Sequence, residues 1–345
     1  MEQRIGINGF GRIGRAIFRL LLEKEGMDAV VINDINQDKN NLAYLLKYDS
    51  LHGTLKQKVS SDKEGIVVDG KKVFIYHEKH IDKVPWHEHK VSIVMDATGV
   101  HDNVVKARDL KGKVQRVIVT HSPAEELLDR SVIIGINEKD IKAEDFVISS
   151  SICDANAFGP VIHALERQYG VDHGAITTLH PWLQYQNLLD GPSMSFAYPG
   201  HVYSEYVLGR ASTMSLLPKP TTTVSATCKV LKHLSGKFYA FSYRVPTAAV
   251  SSSDLTVKLK KKTTVEEVKC LFEAEEKKQR FKVFHNNFEP LVSIDFKGME
   301  YSVIIDHRWT AVMDGNYVKL ILWYDNEWGY AARVIDLAHC LLDQK

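Results

Sequence analysis

The chain has 345 residues, 44 Lys and Arg against 43 Asp and Glu, a formal charge of +1, and 44% hydrophobic and 25% charged residues. That length accommodates two domains with separate cores, and the balanced, dispersed charge argues against a general polyanion binder. No apolar stretch reaches the roughly 18–20 residues of a membrane span, and Met1 to Gly6 lacks the pattern of a signal peptide, so a cytoplasmic protein without nucleic-acid or membrane partners is expected. The densest basic run, Lys260-Lys261-Lys262, stands beside Glu266 and Glu267 and reads as a solvated helix entry. Cys153, Cys228, Cys270 and Cys340 are widely spaced and form no CxxC pair, which fits reduced thiols better than a disulfide framework or a zinc site.

In chain order, residues 4–8 read as a strand, 15–22 as a helix and 29–33 as a buried strand, with further strands at 92–96, 116–120 and 146–149. Short apolar runs alternating with helical patterns mark parallel βα units. The first half is therefore expected to be α/β, a Rossmann-type doubly wound parallel domain. Between its first strand and helix stands Gly9-Phe10-Gly11-Arg12-Ile13-Gly14, the context that a GxGxxG dinucleotide fingerprint requires. The first glycine permits the tight turn, the second lets a pyrophosphate approach the helix N-terminus, and the third lets helix and strand pack closely. Asp34 lies 20 residues past Gly14, at the end of the second strand. A carboxylate there accepts ribose hydroxyls and repels a 2′-phosphate, which favours NAD over NADP.

The strand at 146–149 delivers the chain to Ser149-Ser150-Ser151-Ile152-Cys153, and a helix is expected from Asp154 through Glu166. A thiol at a helix start sees the positive end of the backbone dipole, which favours thiolate. Together with the fingerprint, that thiol suggests an aldehyde captured by sulfur and oxidised by a nicotinamide. Beyond it the runs at 236–245 and 254–259 are β-rich, and an α+β catalytic domain with an antiparallel sheet, covered on one face by helices, is expected. Residues 331–342 have helical spacing and are expected to pack back on the first domain. The domains read as 1–152, 153–322 and a returning segment 323–345.

At these residues the chain resembles a known family. Gly6 to Arg15, Asn33-Asp34, Tyr48-Asp49-Ser50-Leu51-His52-Gly53, Ala97-Thr98-Gly99-Val100, Arg244-Val245-Pro246-Thr247 and Trp323-Tyr324-Asp325-Asn326-Glu327-Trp328-Gly329-Tyr330 closely resemble glyceraldehyde-3-phosphate dehydrogenases, from end to end. The resemblance implies an NAD domain, a catalytic domain, a returning C-terminal helix, a homotetramer and a phosphorylated or anionic aldehyde as substrate. It makes Cys153 the nucleophile and His180 the catalytic histidine that assists thiolate attack and stabilises the oxyanion. Hydride then leaves the thiohemiacetal for the nicotinamide, and a thioester remains on Cys153. Asn326 matches the residue that holds the nicotinamide carboxamide, and Thr98 and Thr120 join the glycine loop in the implied NAD site.

The departures from the family gather around the substrate. Its serine and threonine flanking the cysteine, which serve attacking phosphate, are here Ile152 and Asp154, and an arginine of the same site is replaced by Leu208, with Arg210 nearby. Thr221 looks like a retained phosphate ligand. Arg244 remains for the substrate's own phosphate, whereas a threonine and an aspartate expected after the histidine read as Leu183 and Tyr185. The stretch after Asp190-Gly191-Pro192-Ser193 is longer than the family's and carries Phe196, Tyr198, His201, Tyr203 and Tyr206. Asp154 reads equally as a helix-start acid or as a group acting on substrate, including a base that activates water against the thioester.

Three functions fit the sequence. The first is a phosphorylating glyceraldehyde-3-phosphate dehydrogenase with a rebuilt pocket. The second is a relative that oxidises another anionic aldehyde and releases a free acid. The third is a non-catalytic NAD-binding protein, which the joint presence of Cys153, His180 and Asn326 argues against.

Overall fold

The computed structural model describes residues 3–193 and 206–342, which divide into two compact units. Residues 3–132, 138–151 and 331–342 form the first; residues 133–137, 152–193 and 206–330 form the second. In the C-terminal region, residues 331–342 group with the first unit, and Trp323 and Tyr324 close a strand of the second.

The first unit runs β1 (Gln3–Asn8), α1 (Arg12–Leu21), β2 (Met27–Asn33), α2 (Lys39–Lys47), β3 (Val59–Ser61), β4 (Gly65–Val68), β5 (Lys71–Tyr76), β6 (Ile93–Asp96), α3 (His101–Ala107), β7 (Arg116–Val119), β8 (Arg130–Ser131) and β9 (Val147–Ser149). Its sheet has the order β3-β4-β5-β2-β1-β6-β7-β9-β8. From β5 to β8 every neighbouring pair is parallel, and only the β3-β4-β5 edge is an antiparallel meander. Central strand residues such as Ile5, Ile7, Val31, Ile93 and Val117 are fully buried, as expected of a parallel sheet covered on both faces. β1 lies between β2 and β6, so successive crossovers leave it in opposite directions. The crevice of a doubly wound sheet opens at the carboxyl ends of such strands.

Those ends carry a buried polar cluster. Asn33 Nδ2 donates to Asn8 Oδ1 at 2.8 Å, and Asn8 Nδ2 donates to Asp96 Oδ1 at 2.8 Å. Burial pushes the Asp96 carboxyl up to about 6, against the hydrogen bonds from Thr98 and Asn8 that favour its charge.

The second unit runs α4 (Cys153–Tyr169), β10 (Val171–Pro181), β11 (Leu217–Lys219), α5 (Thr223–Cys228), β12 (Phe238–Val245), β13 (Ser251–Leu259), α6 (Val265–Lys278), β14 (Phe284–Asn287), β15 (Val303–Asp306), β16 (Ala311–Met313) and β17 (Tyr317–Tyr324). α7 (Trp328–Leu342) starts here and groups with the first unit from Ala331 onward. The sheet order is β11-β12-β10-β13-β17-β15-β14, with β16 added on β17. The expected antiparallel sheet is in fact mixed: β10 pairs with β12, and β14 with β15, in parallel. Parallel neighbours need a long crossover, and the connection from β10 to β12, which carries β11 and α5, supplies one. Strict alternation of burial along β13 shows one covered face, and α4 packs on it.

Local chemistry sets the element ends. α4 stops where Gly170 takes φ +72°, beyond the expected Glu166. Lys260, Lys261 and Lys262 are exposed, and Thr264 and Glu267 form a capping box at the start of α6, so this basic run is the solvated helix entry that its neighbours suggested. No helix among the described residues is long and apolar enough to cross a membrane.

Candidate active site

The glycine loop joins β1 to α1 with the backbone that the fingerprint demands. Gly9 has φ +90°, and a Cβ there would come within 2.9 Å of the Thr98 backbone nitrogen. A Cβ on Gly14 would sit 2.1 Å from the Gly9 carbonyl oxygen, so only glycine lets helix and strand close on each other. At Gly11 a Cβ would meet nothing, which leaves the loop open to a ligand. Asp34 Oδ2 accepts the Phe10 backbone N–H at 2.7 Å and Oδ1 accepts that of Asn36 at 2.9 Å, fixing the carboxylate beside the loop. Ile13 stands in the first turn of α1.

Arg12 pairs with Asp49, a largely buried carboxylate. Burial opposes that charge, but the His52 backbone N–H and the Arg12 guanidinium outweigh it and hold the carboxyl down at about 2. The Thr98 hydroxyl donates to Asp96 Oδ1 at 2.8 Å, and the Thr120 N–H donates to the Asp96 carbonyl at 3.0 Å. In the second unit, Asn326 has a buried Oδ1 without a hydrogen-bond partner, a cost that an incoming amide donor would remove. The open glycine loop and the fixed Asp34 fit NAD. Gly14→Ala is expected to lower stability by about 1–3 kcal/mol and to remove NAD binding. Urea unfolding and cofactor titration check both, and unchanged NAD affinity would refute the close-approach argument.

Cys153 opens α4, immediately after Ser151 at φ +60° and extended Ile152. His180 lies at the end of β10, opposite Arg244 on β12. The Cys153 Sγ and His180 Nε2 are 3.6 Å apart, and His180 is only 6% exposed. On its other side His180 Nδ1 lies 3.4 Å from the Pro181 carbonyl oxygen. With the proton on Nδ1 donated to that oxygen, Nε2 turns a free lone pair toward the thiol.

The expected thiolate is not the resting state. Burial, then the adjacent Asp154 carboxylate, push the Cys153 thiol well above its ordinary value; the Arg244 charge and the Asp154 backbone N–H oppose them without prevailing. Burial likewise lowers His180 to about 4, although Asp154 pulls it up. A neutral thiol thus faces a neutral imidazole, which is suited to take the proton as sulfur attacks.

Asp154 is central to the site. Its Oδ1 is 3.6 Å from both Cys153 Sγ and His180 Nε2, and it accepts the Tyr324 hydroxyl at 2.7 Å. Its Oδ2 accepts the Thr223 hydroxyl at 3.2 Å, and Thr223 shares a 2.7 Å hydrogen bond with Thr221. Arg244 is nine-tenths buried; its Nη1 donates to the Pro181 carbonyl at 3.2 Å, while its Nε has no partner. The other expected substrate groups lie elsewhere in the hydrogen-bond pattern. Arg210 is exposed and donates to Asp190 at 2.8 Å, and Leu208 is buried. Leu183 and Gln186 close a turn after β10 through the Leu183 N–H and Gln186 Oε1. Phe196, Tyr198, His201 and Tyr203 lie outside the described residues, and Tyr206 is exposed.

Sequence reasoning missed two partners of this carboxylate. Tyr324 stood inside a quoted motif whose visible signal was Asn326, and Thr223 stood two places from Thr221 in a run of three threonines.

Comparisons with known proteins identify the family. A family model described as the NAD binding domain of glyceraldehyde 3-phosphate dehydrogenase matches residues 3–104, and its C-terminal domain counterpart matches residues 150–326. The chain is 39% identical over 337 residues to glyceraldehyde-3-phosphate dehydrogenase 1 of Bacillus cereus, covering 97% of each protein. It is 37% identical over 341 residues to the glyceraldehyde-3-phosphate dehydrogenase of Geobacillus stearothermophilus, covering 98% of each. Against the cytosolic glyceraldehyde-3-phosphate dehydrogenase 3 of Zea mays it is 35% identical over 338 residues, with 97% and 96% covered.

Proposed function

The chain belongs to the glyceraldehyde-3-phosphate dehydrogenase family, and on that premise we propose that this NAD-dependent oxidoreductase oxidises glyceraldehyde 3-phosphate through a thioester on Cys153. The observation that carries the reading is the pair of half-buried Cys153 Sγ and buried His180 Nε2 at 3.6 Å, with Nδ1 turned to the Pro181 carbonyl. Sulfur attacks the aldehyde carbon as Nε2 takes the thiol proton. The imidazolium so formed donates to the oxyanion, then accepts the hydroxyl proton as the carbonyl reforms. NAD, when bound, supplies the acceptor for the departing hydride. Gly9, Phe10, Gly11, Arg12, Ile13, Gly14, Asp34, Thr98 and Thr120 serve the cofactor, as does Asn326 through its unpartnered Oδ1.

Arg244 binds the anionic end of the aldehyde, because a nine-tenths buried guanidinium with a free Nε calls for an anion. Arg244→Leu is expected to lower kcat/KM for glyceraldehyde 3-phosphate by roughly 30- to 1,000-fold, mostly through KM. The measurement is initial NADH formation against aldehyde concentration, and an unchanged KM would rule the anion clamp out.

The same reading makes the protein a cytoplasmic homotetramer. In support, Leu179 on β10 and the Tyr239-Phe241-Tyr243 ladder on β12 share the sheet face opposite α4; Tyr239 is 71% exposed. Aromatic strips of this kind suit an interface between copies. Sedimentation at four times the chain mass is expected, and a monomer would contradict it.

A further inference from the structure

We infer that water is the acyl acceptor and that Asp154 takes its proton, so the product is a free carboxylic acid; this rests on the Cys153 thioester proposed above. Asp154 Oδ1 stands 3.6 Å from the sulfur that carries the acyl group, and the residue is only 8% exposed. Its orientation is set from two sides, by the Tyr324 hydroxyl on Oδ1 and the Thr223 hydroxyl on Oδ2. Ser253 in turn donates to the Tyr324 hydroxyl at 3.4 Å, and Thr221 bonds Thr223. Two hydroxyl side chains thus bond one carboxylate beside the nucleophile, each held in turn by a further hydroxyl.

Two consequences follow from that charge. An anionic nucleophile such as inorganic phosphate would have to bring its charge to within a few ångströms of a carboxylate that solvent screens poorly. Arg244, the buried cation of the site, is committed to the Pro181 carbonyl on one nitrogen and to the anionic end of the aldehyde by the reading above. Thr221, the other candidate ligand for phosphate, is tied to Thr223 and through it to Asp154. Neutral water meets no such repulsion. It donates a hydrogen bond to the carboxylate, which orients its lone pair toward the acyl carbon and raises its nucleophilicity.

The step balances without an outside reagent. The water oxygen bonds to the acyl carbon while one of its protons passes to Asp154. As the tetrahedral adduct collapses, the carbon–sulfur bond breaks and sulfur leaves with the electron pair, taking a proton from the protonated His180. The released acid ionises and Asp154 returns its proton to solvent, so thioester, water and protonated His180 give carboxylate, two protons, free Cys153 thiol and neutral His180. Nothing is oxidised or reduced. Asp154 is the general base and Tyr324 its positioning residue.

The test follows NADH formation from glyceraldehyde 3-phosphate by stopped flow, with and without inorganic phosphate, and analyses the product made in ¹⁸O-water. The expected wild-type result is steady turnover without phosphate, no acceleration by it, and solvent oxygen in a free acid. Asp154→Asn is expected to give a burst of one NADH per site and then a steady rate about 100-fold or more below wild type. Tyr324→Phe, which keeps the ring, is expected to slow the steady rate about tenfold while the burst persists; loss of both phases in proportion would mark a merely structural role. Strict dependence of wild-type turnover on phosphate, or Asp154→Asn turning over at the wild-type rate, overturns the inference. Absence of any burst or turnover in the wild type would instead overturn the thioester reading on which it rests.

Discussion

Cys153→Ser is expected to abolish aldehyde-dependent NADH formation, by on the order of 10⁴-fold or more, while NAD still binds. The serine hydroxyl keeps the size and position of the thiol but is a far weaker acid, and the neutral His180 imidazole is too weak a base to ionise it. His180→Asn should cost less, roughly 10²–10⁴-fold, because the thiol keeps its own acidity and only proton transfer is lost. Full activity in Cys153→Ser would end the thiohemiacetal mechanism and leave a non-catalytic NAD protein or a different nucleophile.

The same dyad makes a pH prediction with a definite sign. Burial and Asp154 raise the Cys153 thiol, and burial lowers His180 to about 4, so the neutral pair is the resting form at neutral pH. Alkylation by iodoacetamide requires thiolate. Its rate should therefore climb about tenfold per pH unit through neutrality and past pH 9, with no early plateau. Removing the neighbouring charge in Asp154→Asn should speed alkylation at neutral pH. A wild-type plateau beginning near pH 6 would show a preformed thiolate–imidazolium pair and contradict the burial argument.

The parts of this molecule that were legible in the sequence are those with a local cause. The Gly9–Gly14 turn, Asp34, the Cys153 helix and the parallel strands around β1 each depend on residue types at short spacing, which a linear reading captures. The mixed sheet of the second unit was not legible in that way, because the β10–β12 pairing is set by a long connection and not by any pattern within either strand. Tyr324 reaches Asp154 across 170 positions of sequence. The thiol state was misjudged for a related reason: the helix start is visible from sequence, whereas the burial and the Asp154 charge that raise the thiol arise only in the folded site.

Asp96→Asn should change how stability depends on pH. Asp96 is fully buried, its Oδ1 accepts from Asn8 and Thr98, its Oδ2 has no partner, and burial pushes its carboxyl from 3.8 up to about 6. A folded-state value above the unfolded one means that the folded chain holds the proton more tightly. The stabilisation is then fully present below pH 3.8 and is lost as pH rises through about 6. A shift of about two units corresponds to about 3 kcal/mol, so the wild type carries a penalty of that order at pH 7.5. Asparagine keeps the acceptor for Asn8 and Thr98 and has no charge to bury. Near pH 4 variant and wild type should therefore unfold alike in urea, and by pH 7.5 the variant should be the more stable by about 3 kcal/mol, most of the divergence falling between pH 4 and 6. A difference that stays constant over this range would mean that Asp96 remains charged throughout, its cost met by the asparagine cluster at the ends of β1 and β2. The penalty sits where the fingerprint places the cofactor, so the variant should also be titrated with NAD. Weaker binding in the more stable protein would show that the buried charge is kept for the cofactor at the expense of the fold.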